Sequence, residues 1–266
     1  MDEDFLPPAR ADTSPWALRA AGGLVFGLVI GPLIALLCLP ILLFLGLFKR
    51  EVLRPVVRAA SYDAFEKTPY YKDPARLGRV FATPVGQLYR RGGLEYQARE
   101  GYCSVATQRN LLKSLPLVLP SQLPPARGGA ATAAQFADAL LRHSHGLVTS
   151  TQVVYGSDGV DAFCAALRLA NDENHRVAVN FLHATLSGTG PLWLPWNLPL
   201  GVVSGHFSNV VGFLDDENLV AIFDVNDGYG AYLVDATRLF EAVCAVDISS
   251  NRSRALIVAS IASQRV

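Results

Sequence analysis

The chain has 266 residues, with 23 basic and 23 acidic side chains, 51% hydrophobic residues and only 17% charged ones. That length fits one medium-sized domain with an appendage. The balanced charge removes the electrostatic attraction on which nucleic-acid binding depends, so no nucleic-acid partner is expected.

In chain order, residues 1–15 are polar and proline-bearing and read as a disordered tail. Residues 16–49 read as a transmembrane anchor, because no charge falls between Arg19 and Lys49 and residues 20–48 exceed the roughly 20 apolar residues needed to cross a bilayer. The run is too long for a signal-peptide core of about 7–15 residues, starts from an acidic N-terminus, and has no small-residue cleavage site after it. Pro32 and Pro40 inside it predict a tilted or kinked single pass, with a re-entrant hairpin as the alternative. Lys49, Arg50, Arg54 and Arg58 follow the run, against Arg10 and Arg19 before it, which places the larger C-terminal part in the cytoplasm.

Residues 50–92 read as a helical linker region, with short helices broken by Pro55, Pro69, Pro74 and Pro84. The catalytic-sized unit then spans residues 93–266. "CSVATQRNLLKSL" puts Val105, Leu112 and Leu115 near one helical face, and a proline- and glycine-rich loop over residues 116–131 separates it from the helix of "TAAQFADALLRHSHG". "GVDAFCAALRLANDEN" reads as a third helix, with Asp161, like Asp235 further on, as a helix cap. The period then changes to that of strands. "HRVAVNFLHATL" alternates Val177, Val179 and Phe181, and "HFSNVVGFL" alternates Phe207, Asn209, Val211 and Phe213; "LVAIFDV", "AYLVD" and "RALIVAS" follow. Helices first and an antiparallel sheet second make the fold class α+β.

The four cysteines, Cys38 in the anchor and Cys103, Cys164 and Cys244 beyond it, are widely scattered and form no C-x-x-C pair. Neither a zinc site nor a dithiol motif is expected, and the thiols read as reduced. Cys103 precedes a helix, so its sulfur would sit where the helix dipole favours a thiolate; an isolated cysteine there is more often a small buried residue. His206 opens one strand and Asp224 closes the next. With a turn centred near residue 216, Asp224 falls opposite Ser208 and diagonal to His206, close enough for the side chains to meet. A slip of one residue would turn the carboxylate to the other face. His143, His145, His175 and His183 have no acid at a comparable spacing.

The blocks "EGYCSVAT", "VAVNFLHATLSGTG", "GHFSNVVGF" and "VAIFDV" together resemble, in order and spacing, the catalytic domain of phytochelatin synthase, a relative of the papain-like cysteine peptidases. The resemblance covers roughly residues 60–250 and implies a papain-like fold, a helical half carrying the nucleophile against an antiparallel sheet half, here preceded by a transmembrane helix. It implies Cys103 as nucleophile, His206 as general base, Asp224 as the group orienting the histidine and Gln97 as oxyanion donor. The implied chemistry is attack on the γ-glutamylcysteinyl amide of a glutathione-like thiol peptide, resolved by water or a second thiol peptide, with neither metal nor cofactor. Ser104 and Asn209 stand where that family has glycine and proline. Asn226 and Asp227 stand where it has a base and an aromatic stretch, an acid that would repel a substrate carboxylate. Residues 191–204, with Trp193 and Trp196, form an insertion, and the cysteine-rich C-terminal region of the plant enzymes is missing, which favours peptidase or amidase activity over metal-dependent polymer synthesis. A catalytically silent, membrane-tethered binding module and a deamidase or transglutaminase acting on a protein amide are the alternative readings.

Overall fold

The structure is a computed structural model that describes residues 24–116, 118–189, 194 and 197–262. The tail over residues 1–15, the first residues of the anchor, and Trp193 and Trp196 lie outside the described residues.

The anchor is a π-helical stretch, Phe26–Ile30, running into α1, Gly31–Phe48. Pro32, with no N–H to give to a carbonyl one turn back, follows the widened stretch, whereas Pro40 sits inside an uninterrupted α1. Within the span Gly27–Phe48, an 18-residue window has a mean hydropathy of 2.9 and only 12% of that window is buried. An apolar helix left so bare is not the core helix of a soluble domain; it is long enough to span a membrane as a single anchor. Its last turns behave differently. Leu45 is buried with Val52 and Val56 of α2 (Arg50–Ala59) and with Leu182, Val202 and Ala245 from the body of the protein. The apolar helix therefore ends inside the protein's own packing.

Residues 50–92 share the core rather than standing apart as a linker. Asp73 and Thr83 accept hydrogen bonds from the N–H groups of Arg76 and Gly86, and Pro74 and Pro84 take first-turn positions where a missing N–H costs nothing. The prolines thus start α3 (Pro74–Ala82) and α4 (Pro84–Gly92) instead of breaking them. Leu77, Val80, Phe81, Val85 and Tyr89 from these helices pack on Val211, Phe223 and Leu233 of the sheet.

The sheet has six strands, β1 (Val148–Tyr155), β2 (His175–Leu182), β3 (Gly205–Leu214), β4 (Leu219–Phe223), β5 (Ala231–Asp235) and β8 (Ala255–Ile261), in the spatial order β1-β8-β2-β3-β4-β5 with antiparallel pairing throughout. A separate hairpin joins β6 (Val246–Asp247) to β7 (Arg252–Ser253). α5 (Cys103–Lys113) and α6 (Ala133–His143) cover one face through Leu111, Phe136, Phe207 and Ile257. After α7 (Val160–Arg168) come two short helices, α8 (His183–Ser187) and α9 (Asn197–Val202), and then α10 (Ala236–Cys244); α7 and α10 cover the other face through Phe163, Leu239, Val179 and Val210. β2 is buried on both faces, so it reads as a continuous apolar run. β1 went unread in the sequence because it is a polar edge strand, buried at only two of its positions. Its place before α7 means that helices and strands interleave. Asp235 caps α10, accepting from Thr237 and Arg238, but Asp161 lies in the first turn of α7, whose cap position is Gly159.

Candidate active site

Cys103 is the first residue of α5, after Tyr102, which offers no side-chain cap. The first-turn N–H groups are therefore free for the sulfur, and that of Ser104 reaches it. Two buried amides fix the helix that carries it. Asn209 Nδ2 donates to the Thr107 carbonyl at 3.0 Å, tying α5 to β3. Asn110 bridges both backbone groups of Glu95, accepting from its N–H at 2.8 Å and donating to its carbonyl at 3.0 Å. Two residues on, the Gln97 N–H donates to Val225 O at 2.7 Å, so the chain before the cysteine is laced to the residue after Asp224.

His206 Nε2 lies 2.7 Å from Asp224 Oδ1. The route to that contact runs through a β-bulge. Near the turn the register is Leu214↔Leu219 and Gly212↔Ala221, but beyond it Val210 pairs with Ile222 and Asn209 with Phe223. Val211 is the extra residue. It and Gly212 face the same helix, and a Cβ at Gly212 would sit 2.7 Å from Val80 Cγ1, so the second bulge position has room only for glycine. Continued past Phe223, the shifted register sets Asp224 opposite Ser208 and diagonal to His206. Without the bulge, the carboxylate would point to the other face. The alternation expected along β3 breaks here, and Phe213 packs with Val210 rather than with Val211.

Asp224 is fully buried. Oδ1 also accepts the Asn226 N–H at 2.8 Å, and Tyr232 Oη lies 3.4 Å from Oδ2. The His206 ring meets Phe181 edge-on at 5.6 Å and His183 at 5.9 Å between centroids. Burial alone would push the imidazole pKa down, but the carboxylate of Asp224 and the sulfur of Cys103 carry it up to about 10. Burial raises Asp224, and the imidazolium of His206 with the Asn226 N–H more than reverses this. Cys103 follows the same logic. Burial raises the thiol, while the hydrogen bond and charge of His206 and the N–H groups of Phe207 and Ser104 bring it below the ordinary value. All three shifts favour a thiolate, an imidazolium and a carboxylate in one row. His183 behaves oppositely, pushed down to about 4 by burial, and its Nε2 is buried without a partner among the described residues.

A cavity of about 420 Å³ opens over Cys103, walled by Ser104, Asn180, Phe207, Asp247 and Arg254. Arg254 is 5% exposed, its Nε has no partner among the described residues, and its guanidinium makes one long contact, 3.4 Å to Asn180 Oδ1. Burial lowers its pKa, opposed by Asp247 and Cys103. Gly205 makes room for it, since a Cβ there would lie 2.5 Å from Nη1. The site thus sets a thiol and an imidazole at one end and an under-satisfied cation at the other.

His206 meets Asp224 at 2.7 Å and makes a side-chain hydrogen bond with Cys103. Gln97 is held beside them by its backbone; its Oε1 is buried and unpartnered among the described residues, and its side chain does not wall the cavity. Asp227 is not among the residues that wall the cavity, and its charge acts on Tyr96. Asn226 shapes the turn that supports Asp224. His143 bonds Gln108, and His175 pairs with Asp172 three residues back, a surface contact. Arg254, Asn180 and His183 are additions from the structure. Arg254 stands next to the strand run "ALIVAS" and resembles any strand-flanking cation. No cluster of His, Cys, Asp or Glu suited to a metal occurs among the described residues.

Residues 132–256, just under half of the chain, match the family described as Phytochelatin synthase. The matched segment contains Asn180, His206, Asp224 and Arg254 and stops short of Gln97 and Cys103. No curated protein matches the chain. The chain is thus similar to that family over its sheet half, and its antiparallel sheet with flanking helices is papain-like in outline, consistent with a cysteine hydrolase or transferase.

Proposed function

We propose that this chain is a membrane-anchored thiol peptidase or transpeptidase that opens a γ-glutamylcysteinyl-type amide through an acyl-enzyme on Cys103. The observation that carries the reading is the 2.7 Å contact between His206 Nε2 and Asp224 Oδ1, which leaves the other ring nitrogen for a thiol already biased toward its ionised form. In the first step the thiolate attacks the amide carbon, a C–S bond forms, the C–N bond breaks, and His206 gives its proton to the departing amine. In the second, His206 takes a proton from water or an incoming amine, which displaces the sulfur and releases acid or a new amide. The first N–H groups of α5 would receive the oxyanion, joined by Gln97 once its amide turns toward the cavity. Arg254 would receive a carboxylate of the donor, because a buried guanidinium short of partners is completed by a bidentate anion. Residues 50–262 would act as one catalytic body on the cytoplasmic side of the membrane.

The test is to supply the full chain, reconstituted in vesicles, with glutathione and follow glycine release while weighing Cys103 for a thioester adduct. The reading predicts glycine release, an adduct of γ-glutamylcysteinyl mass, and loss of both in Cys103→Ala. A fully active Cys103→Ala chain would end it, and release of ammonia from a protein glutamine in place of glycine would redirect it to deamidation.

A further inference from the structure

The elements that wall the cavity are the elements that grip the end of the anchor. On α9 (Asn197–Val202), Leu198 and Val202 pack into the cluster that buries Leu45, while Leu200 and, just beyond the helix, Val203 stay 41% and 70% exposed. On β6, Val246 packs into the same cluster, and the following Asp247, Ile248 and Ser249 turn to the cavity, with Ile248 49% exposed. The hairpin is tied down again at its far side, where Lys49 Nζ, one residue past the apolar span, donates to Asn251 Oδ1 at 3.1 Å. Lys49 marks the level at which a spanning helix leaves the hydrocarbon. Val203 and Ile248 therefore stand as bare apolar side chains on the cavity rim, each next in sequence or next but one to a residue packed with Leu45 of the apolar helix. Inside, the cavity offers Arg254 to an anion.

We infer that the cavity over Cys103 opens at the bilayer surface and that its acyl donor is a carboxylate-bearing amide whose hydrocarbon tail stays in the membrane, drawn across Val203 and Ile248. The inference rests on the proposed thiol chemistry and names its substrate class. The bond changes are those given above, with C–S formed, C–N broken and the proton delivered to the departing amine. The occupant of the apolar rim is the bilayer that the anchor enters, because rim and anchor form one continuous packed unit.

The experiment compares two thiol reagents on the full chain in vesicles: iodoacetamide, and the same reagent carrying an N-hexadecyl tail. Mass spectrometry follows alkylation of Cys103 and of Cys244, which borders a groove with Arg54 and Pro55 close to the anchor and so reports what simple partition into the membrane does. The rate ratio, tailed over plain, should be about ten-fold or more higher at Cys103 than at Cys244. Replacing Val203 and Ile248 by Asp should bring the Cys103 ratio down to that of Cys244. Equal ratios at the two cysteines in the unaltered chain, or a Cys103 ratio indifferent to the rim substitutions, overturns the inference. A plain-reagent rate at Cys103 no higher than at Cys244 sinks the thiolate chemistry instead, and so separates the two failures.

Discussion

Two buried arginines divide the molecule. Arg176, 1% exposed at the start of β2, is held by the fold itself through all three of its nitrogens. Its Nε donates to Ser114 Oγ at 2.8 Å, Nη1 to the carbonyls of Glu173 and His175 at 3.0 and 2.6 Å, and Nη2 to that of Ser114 at 3.3 Å. Arg254 is nearly as buried, yet it makes one 3.4 Å contact and leaves Nε unpartnered among the described residues. Burial lowers the pKa of both. A desolvated cation is tolerable when polar groups replace its water, and expensive otherwise. The first guanidinium is a structural bolt. The second sits unfinished beside a cavity, the condition of a group kept for a ligand.

That contrast has content only if the cavity is a reaction chamber, and the largest expected effect tests this. Cys103→Ala should cut glycine release from glutathione by about 10⁴-fold or more, read in a turnover assay, with the thermal midpoint little changed. The next pair of variants sharpens the contrast directly. Arg176→Gln should lose about 3 kcal/mol of stability in a denaturant titration, because several carbonyls lose a charged donor at once, and should leave KM alone. Arg254→Gln should do the reverse. Its stability should hold, while kcat/KM for a carboxylate-bearing donor falls by about 100-fold and that for the matching neutral amide does not.

Smaller again is the pH response. Activity should rise as Cys103 loses its proton, below the ordinary thiol range, and fall as His206 loses its own near about 10. Asp224→Asn should move the upper limb to lower pH, since the carboxylate raises the imidazole. Stability follows the same signs. His206, raised from 6.5, contributes fully below that value and loses its contribution as pH climbs through about 10. Asp224, lowered from 3.8, contributes above that value and loses its contribution as pH falls through its depressed folded pKa. Thermal midpoints across pH would show both flanks, and their absence in the Asp224→Asn chain would assign them. The smallest effect expected is that of Gly212→Ala, about 2 kcal/mol, as a Cβ pressed on Val80 forces a shift in the hairpin; it too is read by denaturant titration.

The sequence carried the features that depend on local pattern. The anchor declares itself by length, the buried strands by their apolar runs, and the meeting of His206 with Asp224 by a hairpin count. That count reached the observed pairing by placing the turn at residue 216, whereas the turn lies between Asp216 and Glu217 and the bulge at Val211 makes up the difference. Nothing in "NVVGF" marks a bulge except its glycine. Pro74 and Pro84 looked like breakers because a first-turn proline and a helix-ending proline are the same letter, and the caps Asp73 and Thr83 were the missed signal; Pro55, also expected to break a helix, lies inside α2. Arg254 and Asn180 were illegible for another reason. Asn180 matters through its bonds to the His206 carbonyl and to Arg254, and Arg254 through the partner its Nε lacks among the described residues; both are properties of three-dimensional space alone.

The extra residue at Val211 imposes a parity condition on the hairpin between His206 and Asp224. Each strand position inverts the direction of the next side chain, so any single deletion or insertion within the paired stretch throws the carboxylate to the wrong side of the sheet, while changes made two at a time preserve it. Loop length at the tip is free of this constraint. Descendants of this chain can therefore vary the turn at will, but the ladder beneath it can change only by even steps.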